Sequence, residues 1–310
     1  MNRPTTVTVA VCTHQRNELL ERLLASLEVA AAMARDAEAA TVGIVIVDDN
    51  TDGRAEEVAC RWEPRFTRGV TYLRSGQGNI SIARNLAMNA ACDLGEWTAM
   101  TDDDCEVEPQ WLVELLGVAE RTHADAVTGP LRLQLPDDAP AWLRQQPFLG
   151  DGQFDFDDGA DMETAATNNS MIRSSWWRYH PDVRFRDDLG VIGGEDMVFY
   201  RTARRRGLRI RFASDAVARG NETPDRTTFA AVLRSRLWLG NTEAVTNLTV
   251  GDATRGRLVL RAGRRFLQAT TRPATRVLGR NTPEFRYALA SICRSLGMAL
   301  GAAGVRIRHH

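Results

Sequence analysis

Apolar and polar positions follow two rhythms along the first 130 residues. Val7-Thr8-Val9-Ala10-Val11-Cys12 and Gly43-Ile44-Val45-Ile46-Val47 are nearly continuous apolar runs rich in β-branched residues, as expected of strands buried on both faces of a parallel sheet. Between them, residues 17–33 carry Leu19, Leu20, Leu23, Leu24 and Leu27, which share one side of a helix at 3.6 residues per turn. The alternation continues with a helix over 54–62, a strand over 70–73, a helix over 81–91 and a strand over 97–101. Pro109 then opens a helix to Ala119, and 126–133 reads as a strand. Proline suits a first helical turn, where its missing N–H would have no partner. Strands alternating with helices predict an α/β fold built on a parallel sheet. Ligands of such sheets sit beyond the carboxyl ends of the strands. Polar clusters fall at those ends: Thr13-His14, Asp48-Asp49-Asn50 and Asp102-Asp103-Asp104.

The rhythm breaks over 135–161, where Pro, Asp and Gly predict a loop or lid. Regular structure is expected again at 166–172, with helices over 195–206 and 226–248 and a strand over 208–213. From Arg255 onward the chain reads as basic and helical, with Leu258, Leu260, Phe266 and Leu267, then an apolar stretch over 285–305 interrupted by Arg286 and Arg294. The expected organisation is a catalytic domain over 1–250 and a basic amphipathic helical extension over 251–310. No run of about 20 uninterrupted apolar residues is long enough to span a bilayer.

Charge sharpens this division. The 310 residues carry a formal net charge of −1 and contain no lysine, so all 39 basic residues are arginine. Schiff-base chemistry and a P-loop lysine are therefore excluded. Residues 251–310 hold twelve arginines against Asp252 and Glu284, a net +10, and the preceding 250 residues carry −11. A basic amphipathic segment suits an anionic membrane surface, or it can pack on the body and pair with its acids. No base-reading motif accompanies it, so nucleic acid is not an expected partner. The five cysteines are odd in number and lack CxxC spacing, as free thiols in a reducing compartment would be. The N-terminal apolar run is too short for a secretory signal. The expected location is cytoplasmic, with peripheral contact through 255–305 at the inner face of the plasma membrane.

Three adjacent carboxylates at 102–104 repel one another unless a cation joins them. Hard oxygen donors suit Mg2+ or Mn2+ held jointly with substrate phosphates; a solvated acidic turn is the plainer alternative. Asp48-Asp49-Asn50 can accept hydrogen bonds from a base or ribose, or simply cap a turn. Gly76-Gln77-Gly78-Asn79 leads into a helix whose first amides favour an anion, with Arg84 adding charge. Glu195-Asp196 opens a helix after two glycines. A carboxylate there can act as a base, or merely complement the helix dipole.

Together these segments resemble family 2 glycosyltransferases of the GT-A fold. The resemblance rests on Thr8–Thr13, Ile46–Asn50, Asn79–Asn85, Thr101–Asp104 with Pro109, Trp111 and Leu112, and Gly193–Asp196. It covers roughly residues 5–245. Within the family the chain looks most like the succinoglycan-type, ExoM-like branch, through Asn79–Asn85, Gly193–Asp196 and Asn221-Glu222-Thr223-Pro224 with Arg226.

The resemblance implies a Rossmann-like, nucleotide-sugar-binding mixed sheet flanked by helices, with a helical basic tail. It implies transfer of a sugar, most often UDP-linked, to an acceptor hydroxyl, with a divalent cation and inversion. It places Thr13 and Asp49 at the nucleotide base with Cys12, His14 and Arg16 nearby. Asn79 and Arg84 fall at the diphosphate or ribose, and Asp102 and Asp103 assist there. Asp104, with Asp102, takes the metal. Asp196 becomes the general base and Glu195 an acceptor contact. Trp176, Trp177 and Arg226 are weaker acceptor candidates. The acceptor class is a lipid-linked glycan or a small molecule. One departure stands out: after Ala216-Val217-Ala218 this chain has Arg219 and Glu222 where many GT-A enzymes supply a histidine ligand. The alternatives are a catalytically inactive nucleotide-sugar-binding module and, more remotely, a sugar-phosphate nucleotidyltransferase.

Overall fold

A computed structural model describes residues 4–144, 146, 156–276 and 284–308 of the protein. Its backbone separates into two compact units. The first comprises residues up to 133, 153–190 and 199–221; the second comprises 134–152, 191–198 and 222–310.

The first unit is built on a seven-stranded sheet. In chain order its elements are β1 (Thr5–Thr13), α1 (Asn17–Asp36), β2 (Ala40–Asp48), α2 (Glu56–Trp62), β3 (Val70–Arg74), α3 (Ile80–Leu94) and β4 (Trp97–Met100). They are followed by β5 (Cys105–Val107), α4 (Trp111–Thr122), β6 (Ala126–Thr128) and β7 (Leu131–Gln134). Next come β8 (Ser170–Arg173), α6 (Ser174–Tyr179), α7 (Glu195–Arg205), β9 (Ile210–Phe212) and β10 (Ala218–Asn221); the short helix α5 (Ala141–Arg144) and the first turn of α7 belong to the second unit. The strand order is β3-β2-β1-β4-β8-β6-β9, and β5-β10-β7 form a separate three-stranded sheet. β1, β2, β3 and β4 pair in parallel, whereas β8 runs antiparallel to both β4 and β6. The sheet is therefore mixed.

Period-two alternation along the strands divides the core in two. Val7, Val9 and Val11 of β1, with Val42, Ile44 and Ile46 of β2, face α1, α2 and α4. Ala10, Val45 and Val47 point the other way, toward Ala83, Ala87 and Met88 of α3 and Trp177, Phe185 and Phe199. Leu20, Leu23, Leu24 and Leu27 of α1 are fully buried, each worth about 1.5–3 kcal/mol against exposure. Packing rather than capping holds this helix, because Arg16 stands at its N-cap position and makes no side-chain cap bond.

Two expectations are corrected here. The strand expected over 126–133 breaks at Gly129-Pro130 into β6 and β7, which join different sheets. Proline has no N–H for a ladder, and a Cβ on Gly129 would lie 2.1 Å from the Ala216 carbonyl oxygen. The buried amide of Asn169 seals the break, donating to the carbonyls of Pro130 and Ala216 and accepting from Trp111 Nε1. Of the loop or lid expected over 135–161, residues 145 and 147–155 lie outside the described residues, and α5 occupies part of the remainder.

The second unit contains α8 (Phe229–Thr249), α9 (Arg255–Arg276) and α10 (Glu284–Ala302). Residues 277–283 of the basic segment lie outside the described residues. Leu258 and Ala262 of α9 pack with Ala244 of α8 and with Met298 and Ala302 of α10. Gly240 and Gly297 let α8 and α10 approach closely. A Cβ on Gly240 would fall 1.9 Å from the Arg294 carbonyl oxygen, and one on Gly297 would fall 1.8 Å from that of Leu237. Glu243 joins all three helices, meeting Arg265 at 2.8 Å, Arg294 at 3.1 Å and Arg261 at 3.9 Å.

Burial alone would raise the Glu243 carboxyl; the hydrogen bonds and charges of Arg265 and Arg294 outweigh it and hold the group below its ordinary value of 4.5. Its stabilisation is complete above that value and is lost as pH falls below it. Glu243→Gln is expected to cost about 2 kcal/mol, between the values for exposed and fully buried pairs. A urea titration at pH 7 checks this, and the gap between variant and wild type should shrink on acidification.

Candidate active site

Within the first unit, the carboxyl ends of β1 and β4 bring together most of the residues singled out in the sequence. Arg16 reaches the acidic turn from the start of α1, and its Nη1 donates to Asp103 Oδ1 at 3.1 Å and to Asp104 Oδ2 at 3.0 Å. Thr13 Oγ1 donates to Asp103 Oδ2 at 2.8 Å. Arg84, one turn into α3, donates from Nη2 to Asp102 Oδ1 at 3.0 Å. The backbone leading to Arg16 is unusual: Gln15 has φ of 56°, a left-handed conformation uncommon for a side-chain-bearing residue and frequent where a site demands it.

The electrostatics follow from crowding. Asp103 is buried, and burial raises its carboxyl to about 6. Asp104 and Asp102 push in the same direction, and Arg16 and the Thr13 hydrogen bond pull against them. Arg16 shows the reciprocal effect: burial would lower it, but Asp103 and Asp104 win and hold its guanidinium above the ordinary value. Burial pushes the Cys12 thiol up to about 12, Arg84 opposing and the acids reinforcing.

The second acidic cluster resolves into two different roles. Asp48 is fully buried and accepts from Asn50 N and Nδ2, Ala55 N and Tyr72 OH. Asp49 binds the glycine loop: Oδ1 accepts from Ser75 Oγ, Gln77 N and Gly78 N, and Oδ2 from Asn79 N at 2.7 Å. Three donors converge on Oδ1 and one on Oδ2, which leaves Oδ2 able to accept one further hydrogen bond. His14 Nδ1 lies 3.3 Å from the Asp49 carbonyl oxygen.

Asn79 caps α3. Its Oδ1 accepts from Ser81 N and Ile82 N, and its Nδ2 donates to the Asp187 carbonyl. Asn85 was missed as an anchor: its amide pairs in both directions with the backbone of Phe185. An asparagine one residue after Arg84 was its only sequence signal.

Trp176 and Trp177 are not displayed for a sugar. Trp177 is 1% exposed, donates Nε1 to Asn89 and packs on Phe185 and Phe199; Trp176 is 8% exposed and stacks on His180. Tyr179 beside them is exposed. Arg219, standing near the position of the family's histidine, pairs with Glu108.

In the second unit, Glu195 and Asp196 follow a turn seated on α8. Gly193 and Gly194 adopt φ of 92° and 83°. A Cβ on Gly193 would lie 2.4 Å from the Trp238 ring, and one on Gly194 would lie 2.5 Å from Thr246 Oγ1. Trp238 Nε1 donates to the Ile192 carbonyl at 2.5 Å, and Thr242 Oγ1 lies 3.4 Å from the same oxygen. Glycine is thus required twice, for conformation and for space. Glu195 is buried; Asp196 is half-buried and accepts from Met197 N at 2.6 Å. Arg226 lies in a short 3-10 turn, Pro224–Thr227, just before α8.

Among the described residues no three His, Cys, Asp or Glu side chains converge into a metal site by themselves. The acidic turn nevertheless fits a divalent cation by its donor set. It offers hard carboxylate oxygens in excess, and Mg2+ usually takes only one or two carboxylates along with substrate phosphates.

A mixed sheet with an acidic turn at the end of its fourth strand defines a GT-A glycosyltransferase fold. The chain belongs to glycosyl transferase family 2, whose model matches residues 8–180. It is 29% identical over 238 residues to the succinoglycan biosynthesis protein ExoM of Rhizobium meliloti (strain 1021), covering 76% of this chain and 73% of that one. The structure of S. aureus TarS residues 1–349 in complex with UDP-GlcNAc superposes with a TM-score of 0.53 at 15% identity, over 80% of this chain and 71% of that one. GalNAc-T7 with UDP, GalNAc and Mn2+ gives 0.54 at 14% identity, over 80% of this chain and 50% of that one.

Proposed function

We propose that this glycosyltransferase moves a sugar from a UDP-linked donor to an acceptor hydroxyl with inversion, using Asp196 as general base. The observation that carries the donor half is the acidic turn at β4, whose three carboxylates are met by Arg16, Arg84 and Thr13. Solved relatives in complex with UDP-GlcNAc, and with UDP and Mn2+, support the reading.

Asp104 and Asp102 would hold a divalent ion, Mg2+ or Mn2+, with Asp103 beside them. When bound, that ion neutralises charge developing on the departing diphosphate. Arg84 and Arg16 turn their planar guanidinium groups to the diphosphate, whose non-bridging oxygens can accept two N–H groups from one fork. Thr13, Cys12 and His14 border the base, and Asp49 and Asn79 hold the Ser75–Asn79 loop that covers it. Asp196 takes the acceptor proton as that oxygen attacks the anomeric carbon, and buried Glu195 supports the acceptor side. Arg226 is the remaining acceptor contact.

The similarity to a succinoglycan biosynthesis protein favours a growing glycan, which we take to be lipid-linked, as acceptor over a free small molecule. We place the catalytic domain over 1–250 and transfer in the cytoplasm at the inner face of the plasma membrane, with peripheral contact through the basic segment 255–305. Among the described residues no helix is long and apolar enough to cross a membrane.

Calorimetry with UDP, with and without Mn2+, alongside a donor hydrolysis assay, tests the reading. Metal-dependent binding with turnover supports it; binding without turnover leaves an inactive module. Arg16→Gln is expected to tighten binding of bare Mn2+ several-fold, because it removes a competing cation about 3 Å from two of the carboxylates. The same variant should weaken UDP. Calorimetry of Mn2+ alone separates the two effects.

A further inference from the structure

The inner face of α9 is occupied by the unit's own packing. Leu258, Ala262 and Ala269 are buried, and half-buried Arg265 turns inward to Glu243. The outer face carries exposed apolar side chains. Leu260 is 75% exposed, Leu267 63%, Val259 52% and Phe266 40%. These four lie seven residues apart in two pairs, 259 with 266 and 260 with 267, so each pair stacks two turns apart along one side of the helix. Gly256 and Gly263 fall between the pairs on the same side, and a Cβ on either would meet nothing within 4 Å. At about 100° per residue these six positions, with exposed Thr270 among them, fill one continuous arc of about 120°; the Thr270 hydroxyl turns back to the carbonyls of Phe266 and Leu267.

Along one edge of that arc run Arg257 and Arg264, both exposed, with Arg255 at the other edge; Arg261, farther round, faces Glu243. The whole helix, Arg255–Arg276, contains no aspartate or glutamate.

We infer that this outer face of α9 lies flat on an anionic lipid surface, with Val259, Leu260, Phe266 and Leu267 entering the headgroup–acyl boundary and the flanking arginines on lipid phosphates. Charge selects this occupant. A second copy of the chain pairing face to face here would set arginine rows together with no acid on either helix, whereas anionic headgroups supply the missing counter-charge. Apolar residues on one arc bordered by cations are the composition of a helix that lies in the interface plane rather than spanning it. The inference rests on the peripheral-contact reading above and narrows it from fifty residues to one helix face.

The test is flotation of the full-length protein with vesicles of phosphatidylcholine alone and of phosphatidylcholine with phosphatidylglycerol. Wild type is expected to float with the anionic vesicles and to be released by high salt. Leu260→Glu/Leu267→Glu and Arg257→Gln/Arg264→Gln should each lower partitioning about tenfold or more. All four positions are exposed, and unchanged circular dichroism and thermal midpoints confirm the folded variants. Wild type bound to anionic vesicles with both variants bound equally well overturns the assignment to α9 but leaves peripheral contact standing. No binding by wild type overturns both. A wild-type dimer in light scattering that the Leu260→Glu/Leu267→Glu variant splits also overturns the lipid assignment, because the face then belongs to a second copy.

Discussion

Asp196→Asn is expected to bind UDP with unchanged affinity and to turn over at least ~10²-fold more slowly, the usual contribution of a positioned general base. The substitution keeps the side-chain oxygen that accepts from Met197 N, so the helix start survives while the proton acceptor is lost. The loss should appear in kcat, because a base acts only as the acceptor oxygen attacks. Single-turnover transfer with saturating donor, together with a UDP titration, makes the measurement. Near-normal turnover would leave Asp196 as a helix-capping residue and move the search to Glu195.

Asp104→Ala should abolish the part of UDP affinity that depends on metal. In Mn2+ the variant is expected to bind UDP at least ~10-fold more weakly than wild type, about 1.4 kcal/mol. Addition of EDTA should weaken the wild type to the level of the variant and leave the variant unchanged. The substitution also releases Arg16 from one of its two carboxylate partners, so some direct attraction between Arg16 and the diphosphate should remain. Equal affinities in all four conditions would remove Asp104 from the metal site.

The parts of the fold that were legible in the sequence are those whose partners are close along the chain. β1 and β2 lie inside the first sheet, and their continuous apolar runs announce burial on both faces. The leucine face of α1 is equally plain. β5 and β10 are three and four residues long, and their pairing joins segments about 110 residues apart; no local pattern encodes such a partner. The Gly129-Pro130 break was written in the sequence but masked by apolar residues on both sides.

At the site, residue type was a better guide than role. Thr13, Arg16, Arg84 and the acidic turn were each readable as polar residues at strand ends or a helix start. Their neighbours divide differently. Asp48 and Asp49 are identical side chains in adjacent positions, yet one locks its own strand end and the other holds the glycine loop. That difference depends on which backbone amides surround each carboxylate. Trp176 and Trp177 show the same limit, since an aromatic pair looks alike whether it meets a sugar or packs on Phe199.

The contact between Arg16 and the acidic turn has a consequence for how the resting protein responds to its surroundings. Guanidinium keeps its proton across the whole physiological range, and here its neighbours make it harder still to discharge. Alkaline conditions therefore leave this latch shut. On the metal-dependent reading proposed above, a denser rival charge would open it, so the divalent-ion content of the medium, and not its alkalinity, would set readiness to accept the donor.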